Sequence, residues 1–208
     1  MKAVNHLFIL DSSGSMMSIK SQVIDLFNGQ MGLIREQVNK TGIPSFVSLI
    51  VFGEKGECKN DWFDCVTTTK LMLSSLKGLS FMTDESYQPY GNTALYDAIG
   101  KGIKETEDAL KYYFYSTDVV INIFTDGAEN SSKTYSGDQI ATLIKETKED
   151  YGWQFNYFGA NHDVEKFAKD HNIDLDNTIS YTANAVGVEN VSETMSDMTA
   201  SYYINVKN

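Results

Sequence analysis

The chain predicts an α/β domain in which a mostly parallel sheet is covered by helices on both faces, with one antiparallel strand at an edge. Three observations carry this. Short apolar, β-rich runs alternate with longer segments whose apolar residues recur at helical spacing. One pair of strand-like runs is joined by a short turn, which favours an antiparallel pair. The first apolar run, Leu7-Phe8-Ile9-Leu10, stops on Asp11 and opens into Ser12-Ser13-Gly14-Ser15. That puts a polar cluster at the carboxyl end of a strand, where open α/β sheets bind ligands.

Taken in order, the first strand hands over to a helix in which Ile19, Val23, Phe27, Ile34 and Val38 share a face, stopped by Thr41-Gly42-Ile43-Pro44. Phe46 to Phe52 reads as a strand buried on both faces, Gly53 to Gly56 as a turn, and Trp62 to Thr67 as the returning edge strand. The stretch from Lys70 to Gly91 is irregular, with a short helix expected around Leu71 to Leu76 and then a long loop that delivers Thr93. Thr93 opens a helix lined by Leu95, Ile99, Ile103, Ala109 and Tyr113, with Asp97 in its first turn suiting the positive end of the helix dipole. Val119 to Phe124 is the next buried strand, ending on Thr125-Asp126-Gly127. After a polar loop from Ala128 to Tyr135, Ser136 and Gln139 form a capping box for a helix through Ile140, Ile144 and Lys148. Trp153 to Phe158 is a strand, Val164 to Lys169 a short helix, Thr178 to Tyr181 a final edge strand. Val188, Val191, Met195, Met198 and Tyr202 mark a last amphipathic helix.

A length of 208 residues suits one α/β domain, here 1–208, with no internal repeat or linker. The 42% hydrophobic content, with 12 Tyr and 11 Phe, supplies a sizeable core. A net charge of -11 without any basic cluster argues against nonspecific binding to nucleic acid or to anionic lipid, because that affinity comes from grouped Lys and Arg. No run approaches the roughly 20 apolar residues of a membrane span. The apolar run near the N-terminus is interrupted by Asn5 and His6 and ends on Asp11, unlike a signal peptide, so a cytoplasmic protein is expected. Cys58 and Cys65 read as two free thiols of a reducing compartment, the alternative being a pair facing across the hairpin.

Asp11, Ser13 and Ser15 alternate, so a tight loop turns all three side-chain oxygens toward one point, and hard divalent cations prefer oxygen donors. Asp11-x-Ser13-x-Ser15 at the end of a first strand resembles the metal ion-dependent adhesion site (MIDAS) of von Willebrand factor A-like domains, of bacterial or phage type. The family adds a threonine and a second aspartate, for which Thr93 in Gly91-Asn92-Thr93-Ala94-Leu95 and Asp126 in Phe124-Thr125-Asp126-Gly127 stand in matching contexts. The resemblance implies a doubly wound, Rossmann-like sheet of six strands in the order 3-2-1-4-5-6, the third antiparallel. It also implies metal ligation by Asp11, Ser13, Ser15, Thr93 and Asp126, the hydroxyls binding directly and the aspartates often through water. Mg²⁺ is the expected ion, with Mn²⁺ and Ca²⁺ as alternatives. The expected partner is another protein that presents an acidic side chain or a C-terminal carboxylate, in a non-enzymatic binding role.

Other readings compete. A strand-terminal Asp followed by Ser also reads as a helix N-cap. A Mg²⁺-dependent phosphatase could use Asp11 as nucleophile, but the acid/base expected two residues on is Ser13, and no phosphate loop is present. A structural or assembly protein using the fold without metal is a third reading. Asp97 reads as a surface residue or a support for a ligand, and Ser12 as a solvated loop residue that could touch a partner. His162 falls in an Asn-x-Asp helix cap, His6 and His171 have no companions suggesting zinc, and Tyr112 to Tyr115 read as core and rim packing.

Overall fold

The computed structural model describes residues 2–55, 65–113 and 116–207. Six strands form one sheet: β1 (Lys2–Asp11), β2 (Ser45–Lys55), β3 (Cys65–Ser75), β4 (Ser116–Thr125), β5 (Gln154–Gly159) and β6 (Thr178–Ser180). Their spatial order is β3-β2-β1-β4-β5-β6, and every neighbouring pair is parallel except β2 with β3. Five helices accompany them among the described residues: α1 (Lys20–Thr41), α2 (Leu95–Leu110), α3 (Gly137–Tyr151), α4 (Val164–Asp170) and α5 (Ala185–Lys207). A 3-10 segment, Gly14–Ile19, leads from β1 into α1. This is the expected doubly wound α/β architecture.

β1 is buried from Ala3 to Asp11 because both faces of the sheet are covered. Phe8 and Leu10 pack with Val23, Phe27 and Ile34 of α1 and with Val188, Val191 and Met195 of α5. Leu7 and Ile9 point the other way, to Ile99 and Ile103 of α2 and Ile140 and Ile144 of α3. Burying each such side chain contributes about 1.5–3 kcal/mol. The strand also reaches further back than its apolar run. Asn5 and His6 are fully buried within it, and each has a partner: Ser48 Oγ donates to Asn5 Oδ1 at 3.1 Å, and His6 Nε2 meets the Tyr203 hydroxyl at 3.1 Å.

Helix ends follow local chemistry. Gly42, at φ 72, closes α1 with its N–H on Val38 O, Ser136 and Gln139 form the capping box of α3, and the Asp163 side chain caps α4.

Several expectations are corrected. Leu71 to Leu76 form no helix: β3 continues through Ser75, with Leu71 opposite Leu49 and Ser75 opposite Phe46. Pairing these backbone groups with β2 outweighs a weak local helical preference. Register shifts and Leu73 at φ 42 break the alternation, which is why the stretch looks irregular in sequence. Gly53 to Lys55 extend β2 and do not turn. Trp62 to Asp64 and Cys58 lie outside the described residues. α2 starts at Leu95 with Ala94 as N-cap, and its buried face runs through Ala98, Ile99, Ile103 and Thr106. It ends at Leu110, so Ala109 is half-buried, and Tyr113 lies beyond the helix with its ring edge on Phe46. Tyr112 is exposed and not core. In α5 the buried face continues through Thr199 to Tyr203, so Tyr203 takes the place expected for Tyr202. β5 alternates in polarity but not in burial: Asn156 is buried, its amide donating to Asn122 Oδ1 at 2.8 Å.

Candidate functional site

β1 and β4 run parallel as neighbours, so Asp11 and Asp126 emerge at the same edge of the sheet. Asp11 is fully buried and both of its carboxyl oxygens are engaged. Oδ1 accepts the Ser13 backbone N–H at 2.7 Å, and Oδ2 accepts the Thr125 hydroxyl at 2.5 Å. Ser13 Oγ lies 3.2 Å from Ser15 Oγ, which in turn donates to Asp126 Oδ1 at 2.6 Å. Four of the expected residues are thus linked in one hydrogen-bonded cluster. Thr93 stands beside it: its Oγ1 is 3.5 Å from where a Cβ on Gly127 would sit, next to Asp126.

The loop after β1 is clamped by distant segments. Ser12 N–H donates to Phe52 O, Tyr90 N–H to Ser12 O, and Gly14 N–H to Gly91 O. The Tyr87 hydroxyl donates to Asp11 O. Gly53 permits this clamp, having φ 89 and a backbone so close that an added Cβ would lie 2.7 Å from Ser13 N. Ser12 is consequently buried with its hydroxyl lacking a hydrogen-bond partner, which corrects the expectation of a solvated loop residue.

The loop after β4 is held by two carboxylates and two amides. Thr93 N–H donates to Asn130 Oδ1 at 2.9 Å, and Asn130 N–H donates to Thr93 O at 3.0 Å. Asp97 is this loop's anchor, accepting the backbone N–H groups of Lys133, Thr134 and Tyr135 at 2.8, 2.9 and 2.8 Å. Glu129 accepts from Ser131, Ser132 and the Tyr96 backbone. From the β5 side, the Asn161 amide donates to Asp126 O at 2.8 Å. Thr125, Asn130 and Asn161 were not among the site residues expected from sequence, Asn161 being read as part of a helix cap. Thr125 had the one local signal, its place directly before Asp126.

Burial pushes the Asp11 carboxyl up to about 7; hydrogen bonds from Thr125 and Ser13 oppose this and the nearby Asp126 charge adds to it. Burial raises Asp126 as well, against the Ser15 hydrogen bond. Among the described residues neither carboxylate has a Lys, Arg or His ion-pair partner. Two neighbouring carboxyls without a compensating cation, joined by hydroxyls, form an all-oxygen donor set that fits a hard divalent ion. No three His, Cys, Asp or Glu side chains come together among the described residues, so an ion held here would need hydroxyls among its donors. A nucleophilic Asp11 would need an oxygen open to substrate, and both are buried and bonded. His162 is likewise engaged at both nitrogens, Nδ1 with Ala160 O at 2.6 Å and Nε2 with the Tyr157 hydroxyl at 2.8 Å.

No protein-family profile and no curated protein sequence matches the chain. Solved structures do. Proximal thread matrix protein 1 from the mussel byssus superposes with a TM-score of 0.55 at 12% identity, covering 95% of this chain and 46% of its own. One structure of that protein carries a zinc-occupied MIDAS motif. The manganese-loaded Plasmodium vivax TRAP protein gives a TM-score of 0.51 at 17% identity over 88% of this chain and 69% of its own. The pilus adhesin SpaC from Lactobacillus rhamnosus GG gives 0.61 at 14% over 95% of this chain and 30% of its own. The chain thus spans about half the mussel protein and under a third of the adhesin. At such identities the likeness is one of fold.

Proposed function

The fold is that of a von Willebrand factor A-like domain, and from that premise we propose that the chain is a non-enzymatic, divalent-metal-dependent protein-binding module. Ser13, Ser15 and Thr93 would hold Mg²⁺ through their hydroxyls, with Asp11 and Asp126 supplying negative charge, and a partner protein would contribute an acidic side chain or C-terminal carboxylate. The observation that carries this reading is the hydrogen bond from Ser15 to Asp126, which gathers the serine loop and the second carboxylate at the mouth of the same sheet edge. When bound, the ion supplies a positive centre that attracts an external anion. The chain's own residues prepare for it: Thr125 and the Ser13 N–H orient Asp11, Ser15 holds Asp126, and Asn130 holds the Thr93 backbone.

The zinc and manganese named for two structural neighbours support a divalent site at fold level, with Mn²⁺ and Ca²⁺ the alternatives to Mg²⁺. A bacterial or phage source and a cytoplasmic setting belong to the same proposal; they rest on the resemblance in sequence and on cysteine usage.

The test pairs calorimetric titration with MgCl₂ and capture of partners from lysate, using wild type and Asp11→Ala. Binding of one ion and capture that EDTA or Asp11→Ala abolishes, in a protein that stays folded by circular dichroism, is the expected result. Capture unchanged in excess EDTA refutes the reading. Turnover of a generic phosphomonoester that disappears in Asp11→Asn would replace it with a hydrolase.

A further inference from the structure

The residues on either side of Thr93, Asn92 and Ala94, line a cavity of about 650 Å³ that opens next to the candidate metal site. Lys101, Lys133 and Tyr135 line it as well. The charged groups lining it are Lys101, Lys104 and Lys133 against Asp97 and Glu105, a local excess of positive charge in a chain of net charge -11.

Most of these charges are already committed. Asp97 is saturated by three backbone N–H groups. Glu105 accepts from Thr69 and faces Lys101 at 3.7 Å, while Lys101 donates to Thr67 O at 2.9 Å. Lys104 is paired with Glu107 at 2.9 Å. Lys133 is left: its side chain is exposed, and its ammonium has no hydrogen-bond or ion-pair partner among the described residues. The buried Ser131 hydroxyl, also unpartnered, lines the same cavity. The lining therefore offers, among the described residues, one cation without a partner, Lys133, beside apolar surface from Tyr135 and Ala94. The volume falls within the range of sites that enclose a ligand segment, well beyond a single side chain.

We propose that this cavity receives a second acidic residue of the same partner segment whose first carboxylate completes the metal site, with Lys133 as the residue that selects it. The inference rests on the metal-binding reading and narrows it: the partner is a segment carrying two carboxylates, one for the ion and one for Lys133. The Lys133 backbone N–H donates to Asp97, so the ammonium projects from an anchored loop, and the ordering that opposes the contact is that of the lysine side chain.

The experiment measures binding of synthetic peptides carrying one aspartate, or two acidic residues held apart by graded Gly-Ser spacers, in MgCl₂ and in EDTA. In Mg²⁺, one spacing of the two-acid peptides should bind about five-fold tighter than the one-acid peptide, an advantage that falls as salt is added. Lys133→Glu should abolish the advantage while leaving one-acid binding and Mg²⁺ affinity unchanged, and Lys133→Arg should restore it. Equal, metal-dependent binding of both peptide classes overturns the cavity assignment and leaves the metal reading standing. Two-acid binding that survives EDTA but is lost in Lys133→Glu keeps the cavity assignment and overturns the metal reading. No binding of any peptide overturns the cavity assignment.

Discussion

β1 carries one buried ionisable side chain mid-strand and another at its carboxyl end, and the contrast between them separates a closed part of the fold from an open one. Burial favours the neutral form of both, pushing His6 down to about 3 and Asp11 up to about 7. Mid-strand the fold answers part of its own demand, at His6 Nε2, while the buried Nδ1 has no hydrogen-bond partner among the described residues. Neutral His6 meets the Tyr203 hydroxyl at 3.1 Å, which reaches Ser45 Oγ at 2.6 Å, and α5 seals the group from solvent. At the carboxyl end the demand is left open, since Asp11 and Asp126 lie in one cluster with hydroxyls between them and no cation beside them. A neutral imidazole needs no counter-charge and takes one hydrogen bond from the tyrosine here; paired carboxylates at neutral pH call for positive charge from outside.

The largest test of this contrast is Asp11→Asn. The Thr125 hydroxyl lies 3.1 Å from Gly127 O, so it can turn its proton there and accept from the new amide. The variant should gain up to about 4 kcal/mol of metal-free stability at pH 7.5, since the rise from 3.8 to about 7 is no longer imposed, and it should lose all stabilisation by Mg²⁺. Urea unfolding with and without MgCl₂ reads both.

The pH profile comes next. Asp11 has a raised folded value, so between 3.8 and about 7 the folded chain holds a proton that the unfolded chain releases, and stability falls as pH rises. His6 has a lowered folded value, so between 6.5 and about 3 the unfolded chain takes up a proton that the folded chain refuses, and stability falls as pH drops. Each slope is about 1.4 kcal/mol per pH unit, and in metal-free protein the two cancel between 3.8 and 6.5. Saturating Mg²⁺ holds Asp11 ionised and removes its slope, so denaturation midpoints should then rise with pH over that window.

Tyr203→Phe breaks the closed part alone. It strips His6 and Ser45 of their shared partner and should cost about 2 kcal/mol, with Mg²⁺ affinity unchanged by calorimetry. Asn130→Ala has the smallest effect. Losing its side-chain acceptor for Thr93 N–H should cost about 1 kcal/mol and weaken Mg²⁺ binding several-fold by loosening Thr93.

What the sequence made legible follows the same division between local and long-range causes. The end of β1 at Asp11, the capping box at Ser136 and Gln139, the cap at Asp163 and the glycine stop of α1 are written in neighbouring residues, and each is found in the structure. The strand order, and the candidacy of Thr93 and Asp126, needed the family resemblance as well. Features imposed from a distance were hidden. Ser12 is buried by Phe52 and Tyr90, and the stretch after Lys70 is a bulged strand only because β2 lies beside it. Asn130 matters only because Thr93, far earlier in the chain, stops next to it. His6 looked like an interruption because its partner, Tyr203, is 197 residues away.

The hydrogen bond between Ser15 and Asp126 spans 111 positions. During synthesis the serine loop leaves the ribosome long before β4 exists, and until β4 zips alongside β1 the nascent chain owns half a cluster with a single carboxylate. The complete cluster at this sheet edge is therefore a late acquisition, and any product truncated ahead of β4 lacks its second carboxylate however well its first strands have paired.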